Sequence, residues 1–376
     1  MNLRLRTALA AAAAFAGIAT STVTALAQET YKIGVILPLT GPTADYGADF
    51  RAGAALAEKA INDKGGVGGK KVKLVFGDSK NQAREGVAEF RRLSTVENIP
   101  VIISTMTGVI QPQFSIAKET GTPLVCVGAT SVSIRKEGAQ PQSTVFSTYP
   151  LADDEERQIA EYAYNRLGYK QAAIIYENSA YGKGLSSVFI AEFKKLGGEI
   201  VAEEIVETGG RDFRSQLTSI AAKNPPLIVT YAYYAEAGLI VRQSAELGIK
   251  AQFMSHGAVQ NSAFGGIAGP AAEGFIAGSP RVDETKPLVK DFTDRYKTAY
   301  GKDPDLYGPY FYDAIYVIAA AIEKGGYSKE GITTGLKNMK DLQGVTGTLN
   351  FGPDNIVKLP LSFFKFEGGQ WVRIPS

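Results

Sequence analysis

Pro123-Leu124-Val125-Cys126-Val127-Gly128-Ala129-Thr130-Ser131 is an apolar run that stops abruptly at four small residues. A buried parallel strand reads this way when it ends in a backbone-exposing turn. The strand before it repeats the pattern, because Pro100-Val101-Ile102-Ile103 runs into Ser104-Thr105-Met106-Thr107-Gly108. Ligands of open α/β sheets bind beyond the carboxyl ends of the strands. The two ends offer threonine hydroxyls and backbone N–H groups with no counter-charge, which suits a carboxylate or phosphate oxygen. Hydroxyl-rich turns with satisfied side chains give the same pattern, so the rest of the chain has to choose.

Outward from this point, strands and helices alternate. Strands are expected at 31–37, 72–76, 101–103 and 124–127, with helices from Tyr46 to about 61, at 83–93 and at 112–119. A second round follows Tyr149-Pro150, with strands at 171–176, 199–205, 227–231, 252–254 and 274–278 and helices at 155–167, 184–196, 213–222 and 236–247. Helices at 287–300, 310–324 and 330–338 precede strands at 346–351, 361–366 and 371–374. Such alternation predicts an α/β fold with doubly wound parallel sheets. Asp45-Tyr46-Gly47 and Ala180-Tyr181-Gly182 open corresponding helices of the two rounds, which would set their tyrosines on opposite walls of one cleft.

Residues 1–27 read as a secretory signal peptide, with Arg4 and Arg6 ahead of an alanine-rich apolar core and Ala25-Leu26-Ala27 at the cleavage site. No cysteine follows that site, so no lipid anchor is expected. The leader holds two arginines and no acids, and its removal brings 40 basic residues level with 38 acidic ones. A balanced surface of this kind argues against nucleic acid or an anionic membrane as partner. The single cysteine, Cys126, sits in an apolar strand and reads as core. The single histidine, His256, cannot build a histidine-based metal site, and the chain has no Gly-x-Ser-x-Gly elbow, His-Glu-x-x-His or Cys-x-x-Cys. Gly65–Lys71 imitates a phosphate loop but follows a helix and lacks the Ser or Thr after Gly-Lys. Neither an enzyme nor a cofactor is expected.

Several motifs in family order resemble the periplasmic substrate-binding proteins of branched-chain amino-acid ABC transporters. They are Lys32-Ile33-Gly34-Val35, Pro38-Leu39-Thr40-Gly41-Pro42, Ile61-Asn62-Asp63-Lys64-Gly65-Gly66-Val67, Gly128-Ala129-Thr130, Tyr181-Gly182-Lys183-Gly184 and Tyr312-Asp313-Ala314. The resemblance runs from Tyr31 to the C-terminus. It implies two Rossmann-like lobes of the type I periplasmic binding fold, joined by three hinge crossings, with the ligand in the cleft between them. By family order one lobe would be 28–149 with 277–358 and the other 150–276 with 359–376. It implies a monomer in the periplasm that delivers its ligand to permease subunits in the inner membrane.

The same resemblance places the ligand carboxylate on Thr107, Gly128 and Thr130. Tyr46, Thr105, Met106, Tyr181, Tyr233 and Tyr310 become walls of the pocket. Amino-acid binders of the family carry an acid in the loop after the strand 252–254, where this chain reads Ser255-His256-Gly257-Ala258, with Gly257 at the acidic position. A buried ammonium without a counter-charge costs several kcal/mol. The expected ligand is therefore a small organic acid without an α-amino group, aromatic or 2-oxo, with His256 donating to a keto or hydroxyl oxygen. The alternatives are a branched-chain or neutral amino acid whose ammonium meets Asp153, Asp154 or Glu236, and a ligand-sensing module for a signalling receptor.

Overall fold

A computed structural model of the chain describes residues 30–280 and 282–375. The expected signal peptide lies outside the described residues. Five parallel strands make the first sheet: β1 (Tyr31–Leu37), β2 (Val72–Asp78), β3 (Ile102–Ser104), β4 (Leu124–Cys126) and β5 (Val145–Ser147), in the order β2-β1-β3-β4-β5. The second sheet contains β6 (Gln171–Glu177), β7 (Glu199–Val206), β8 (Leu227–Tyr231), β9 (Gln252–His256) and β10 (Ile276–Ser279). A hairpin, β11 (Leu342–Gly344) with β12 (Gly347–Leu349), precedes β13 (Ser362–Glu367) and β14 (Gln370–Arg373). The last two complete the second sheet in the order β14-β13-β10-β9-β8-β6-β7. Strands β6 to β10 pair in parallel and β13 runs antiparallel to β10.

The continuous apolar runs of the central strands follow from helices covering both faces of each sheet. Val125, Ile103, Ile174 and Val229 are completely buried, and each such side chain contributes roughly 1.5–3 kcal/mol. Cys126 is core as expected, and burial pushes its thiol up, away from reactivity.

Two differences from the sequence reading have plain causes. The helix Val132–Gly138 and strand β5 were not expected, because three strand residues between a Pro-Gln-Ser-Thr turn and a Tyr-Pro carry no periodic signal. The boundary drawn at 276/277 cuts through β10, which is bound on one side to β9 and on the other to β13. The middle crossing therefore comes after Ser279. The last crossing follows Val357, whose N–H still donates to the Ser147 carbonyl of the first sheet.

Candidate functional site

Strands β3 and β4 end in register, with Ser104 opposite Cys126. Two residues further on, both chains enter the left-handed region: Met106 at φ 67° and Gly128 at φ 62°. Glycine takes this conformation freely, whereas methionine holds it at a cost of about 1–3 kcal/mol, and such outliers gather at ligand sites. The two reversals bring Thr107 and Thr130 together, and the Thr130 N–H donates to the Thr107 hydroxyl at 3.3 Å. The Thr107 oxygen thus accepts within the protein, and its own proton stays available as a donor. Thr105 Oγ1 is buried without a hydrogen-bond partner, and it lies 3.6 Å from where a Cβ on Gly128 would sit. That Cβ would also meet two ring carbons of Tyr307 at 3.1 Å, so residue 128 has to be small as well as left-handed.

These strand ends open on a small cavity of about 10 Å³ between the lobes, lined by Tyr46, Phe50, Met106, Thr107, Gly128, Tyr181, Tyr233, Ala258 and Tyr307. This is far below the roughly 300–1,000 Å³ of small-molecule sites, so a ligand needs the two lobes to part around it. Tyr181 and Tyr233 stack at 4.9 Å and 10°. Tyr46 stands edge-on to Tyr233 at 5.5 Å and Tyr307 edge-on to Phe50 at 5.4 Å. Burial raises the Tyr46, Tyr181, Tyr233 and Tyr307 hydroxyls far above the ordinary phenol value, so all four stay neutral. A wider groove beside Asn261, Lys290, Lys302, Asp303, Asp305 and Trp371 mixes both charges on an open surface and lies away from the strand ends.

Of the residues singled out from the sequence, Thr107, Gly128, Tyr46, Met106, Tyr181 and Tyr233 line this cavity, with Thr105 and Thr130 directly behind it. Tyr310 does not. It packs against Tyr149 at 4.9 Å, and Tyr307, one turn earlier, takes the place at the wall. The sequence carried a signal for Tyr307, since Tyr307-Gly308 opens a helix just as Tyr46-Gly47 and Tyr181-Gly182 do.

His256 also differs from expectation. Its Nε2 meets Glu155 at 2.9 Å, and in the neutral ring its Nδ1 accepts the Ala258 N–H at 3.2 Å. With both nitrogens engaged inside the protein, the ring has no donor left for a ligand oxygen. Desolvation lowers its proton affinity, but the adjoining Glu155 carboxylate outweighs this and raises it overall. A Cβ on Gly257 would lie 2.4 Å from Ser279 Cβ and 3.0 Å from a Leu306 methyl, so no side chain fits there.

The three acids considered for an ammonium are engaged elsewhere. Arg135 binds Asp153 at 2.9 Å and also pairs with Asp154 and Asp354, beside the first and last crossings. Glu236 accepts the Gly209 N–H at 2.7 Å. Sequence reasoning missed Glu155 and Glu156, which follow Asp153 and Asp154 near the start of a helix and carry no sign of burial in the sequence. Both are buried, and Glu156, held by the Tyr231 hydroxyl, is pushed by desolvation up to about 8. Glu155 Oε1 makes no hydrogen bond of good geometry and is approached by the Tyr149 hydroxyl, and its charge is felt at Tyr149 and Tyr307.

Two parallel α/β lobes, three crossings and a cleft at the strand ends define a type I periplasmic binding protein. The chain belongs to the periplasmic binding protein family: the family's sequence model, described as "Periplasmic binding protein", matches residues 30–370. Its relatives place it with the branched-chain amino-acid group. The Leu/Ile/Val-binding protein homolog 3 of Brucella melitensis is 29% identical over 380 residues, covering 100% of both chains. The leucine-, isoleucine-, valine-, threonine-, and alanine-binding protein of Pseudomonas aeruginosa is 29% identical, over 96% of this chain and 95% of its own. Among solved structures, a leucine-binding protein from Thermotoga maritima superposes with a TM-score of 0.85 at 26% identity, covering 92% of this chain and 97% of that one. The branched-chain amino-acid binding protein LivJ of Streptococcus pneumoniae, in complex with isoleucine, gives 0.84 at 27% identity, covering 92% and 100%.

Proposed function

We propose that this periplasmic binding protein of the ABC-transporter type binds a small carboxylate without an α-amino group, a 2-oxo or aromatic acid, and hands it to membrane permease subunits. The carboxylate lies on Thr107, Gly128 and Thr130, and the tyrosine walls take the ligand body through flat apolar faces with polar edges. One observation carries the choice of ligand: none of the residues lining the cavity is an acid, and position 257 has no room for one. Delivery outside the cytoplasm rests on the signal peptide read at 1–27.

A second reading is favoured by Glu155. Its buried Oε1, approached by the Tyr149 hydroxyl, is a relocated partner for an ammonium, and the Pseudomonas aeruginosa relative is an amino-acid-binding protein. A thermal-shift comparison of phenylpyruvate with phenylalanine, and of 4-methyl-2-oxopentanoate with leucine, separates the two. The oxo acids alone should raise the melting temperature. Amino-acid shifts that disappear in Glu155→Gln would instead establish the second reading.

A further inference from the structure

We infer that the Tyr46 hydroxyl is a closure latch, a group that holds the second lobe shut and does not touch the ligand. This rests on the interlobe binding just described, and it assigns to Tyr46 a role other than that of a wall. Tyr46 lies in the first turn of the helix Ala44–Asp63 of the first lobe. Its hydroxyl donates to the Ala258 carbonyl of the second lobe at 2.7 Å and accepts the Tyr234 N–H, also of the second lobe, at 3.2 Å. The proton and one lone pair are both engaged across the cleft, which leaves chiefly the ring to face the cavity.

The acceptance from Tyr234 has a structural reason. The helix Tyr234–Glu246 begins after Tyr233, whose side chain makes no capping hydrogen bond. First-turn N–H groups have no partner within their own helix. The Tyr46 oxygen supplies one from the other lobe. Next to it, Asp45 accepts the Tyr234 hydroxyl, so two consecutive residues of one helix grip the start of another. The Ala258 side is held firmly too, since its N–H is tied to His256, which is anchored on Glu155. Further along the cleft, Asp305 of the first lobe accepts the Ser262 N–H at 2.8 Å and the Asn261 side-chain amide at 3.2 Å.

All these contacts form on closure and break on opening, whatever the ligand. Their contribution is therefore common to every ligand, and it should appear in the dissociation rate rather than in selectivity. Tyr46→Phe keeps the ring and removes the latch. For each ligand of the thermal-shift panel that binds, its affinity should fall by the same factor, about tenfold, with the ratio between ligands unchanged. A change in that ratio, or wild-type affinity throughout, would overturn the latch.

A ligand-free measurement separates this from the choice of ligand. Dyes on Lys118→Cys and Lys223→Cys, one on each lobe and both exposed, report closure by energy transfer, with Cys126 shielded by burial. Tyr46→Phe and Tyr234→Phe should each lower the closed fraction of the ligand-free protein. Equal closed fractions in wild type and Tyr46→Phe would contradict the latch, even if the ligand class proposed above were correct.

Discussion

Gly47 and Gly182 do the same job in the two lobes. A Cβ on Gly47 would lie 2.1 Å from the Pro38 carbonyl oxygen, and one on Gly182 would lie 2.3 Å from the Glu177 carbonyl oxygen. Each glycine lets the first turn of its helix rest on the end of the preceding strand, and each is preceded by a tyrosine of the cavity wall. Alanine at either position must displace backbone, at a cost of about 1–3 kcal/mol. Gly184, in the same helix as Gly182, meets nothing within 4 Å, and Gly184→Ala should be neutral or slightly stabilising. Calorimetric melting of the three variants checks this, and equal melting temperatures would refute the packing argument.

Arg135 gathers Asp153, Asp154 and Asp354 beside two of the crossings, with its side chain about a quarter exposed. Arg135→Met leaves three carboxylates facing one another without their cation. After discounting for solvent, the expected loss is about 1–2 kcal/mol in urea unfolding, smaller at high salt. Arg135→Lys should recover little, because a compact ammonium lacks the planar guanidinium fork whose separate nitrogens reach the three carboxylates.

Buried carboxyls dictate the pH dependence. Desolvation raises Glu156 to about 8, Glu177 to about 7, and Asp49 and Asp313 to about 6. His256, although desolvated, is raised by Glu155. Each of these groups holds its proton more tightly folded than unfolded, so the native state carries more protons across this range. Stability is fully present below the unfolded values and is lost as pH rises through the folded ones. The melting temperature should fall between about pH 5 and pH 8. Glu156→Gln should flatten the upper part of that slope, and a melting temperature that climbs towards pH 8 would show the assignment to be wrong.

What the sequence made legible follows physical lines. Long buried strands and amphipathic helices announce themselves by periodicity, and the two strand ends at 104–108 and 127–131 did so through their small, polar breaks. Three Tyr-Gly pairs open helices and reach the cavity, whereas the fourth, Tyr300-Gly301, closes one, with Gly301 in the left-handed cap. Only the position relative to a strand tells these apart. Glu155 and Glu156 were illegible because an acidic first turn normally faces water, and only the packing of Tyr149, Tyr231 and His256 around them shows that this one does not. The steric closure at Gly257 was equally hidden, since it depends on Ser279 and Leu306 arriving from distant segments.

The carboxylate clamp is the centre of this account, and Thr107 is its most direct test. Isothermal titration of wild type and Thr107→Val should cover phenylpyruvate, 4-methyl-2-oxopentanoate, phenylalanine and leucine. Wild type should bind at least one oxo acid. Thr107→Val should lose at least about tenfold in affinity for it while stability stays within about 1 kcal/mol, the size of one hydrogen bond. An unchanged affinity in Thr107→Val for a ligand that wild type binds would contradict the clamp.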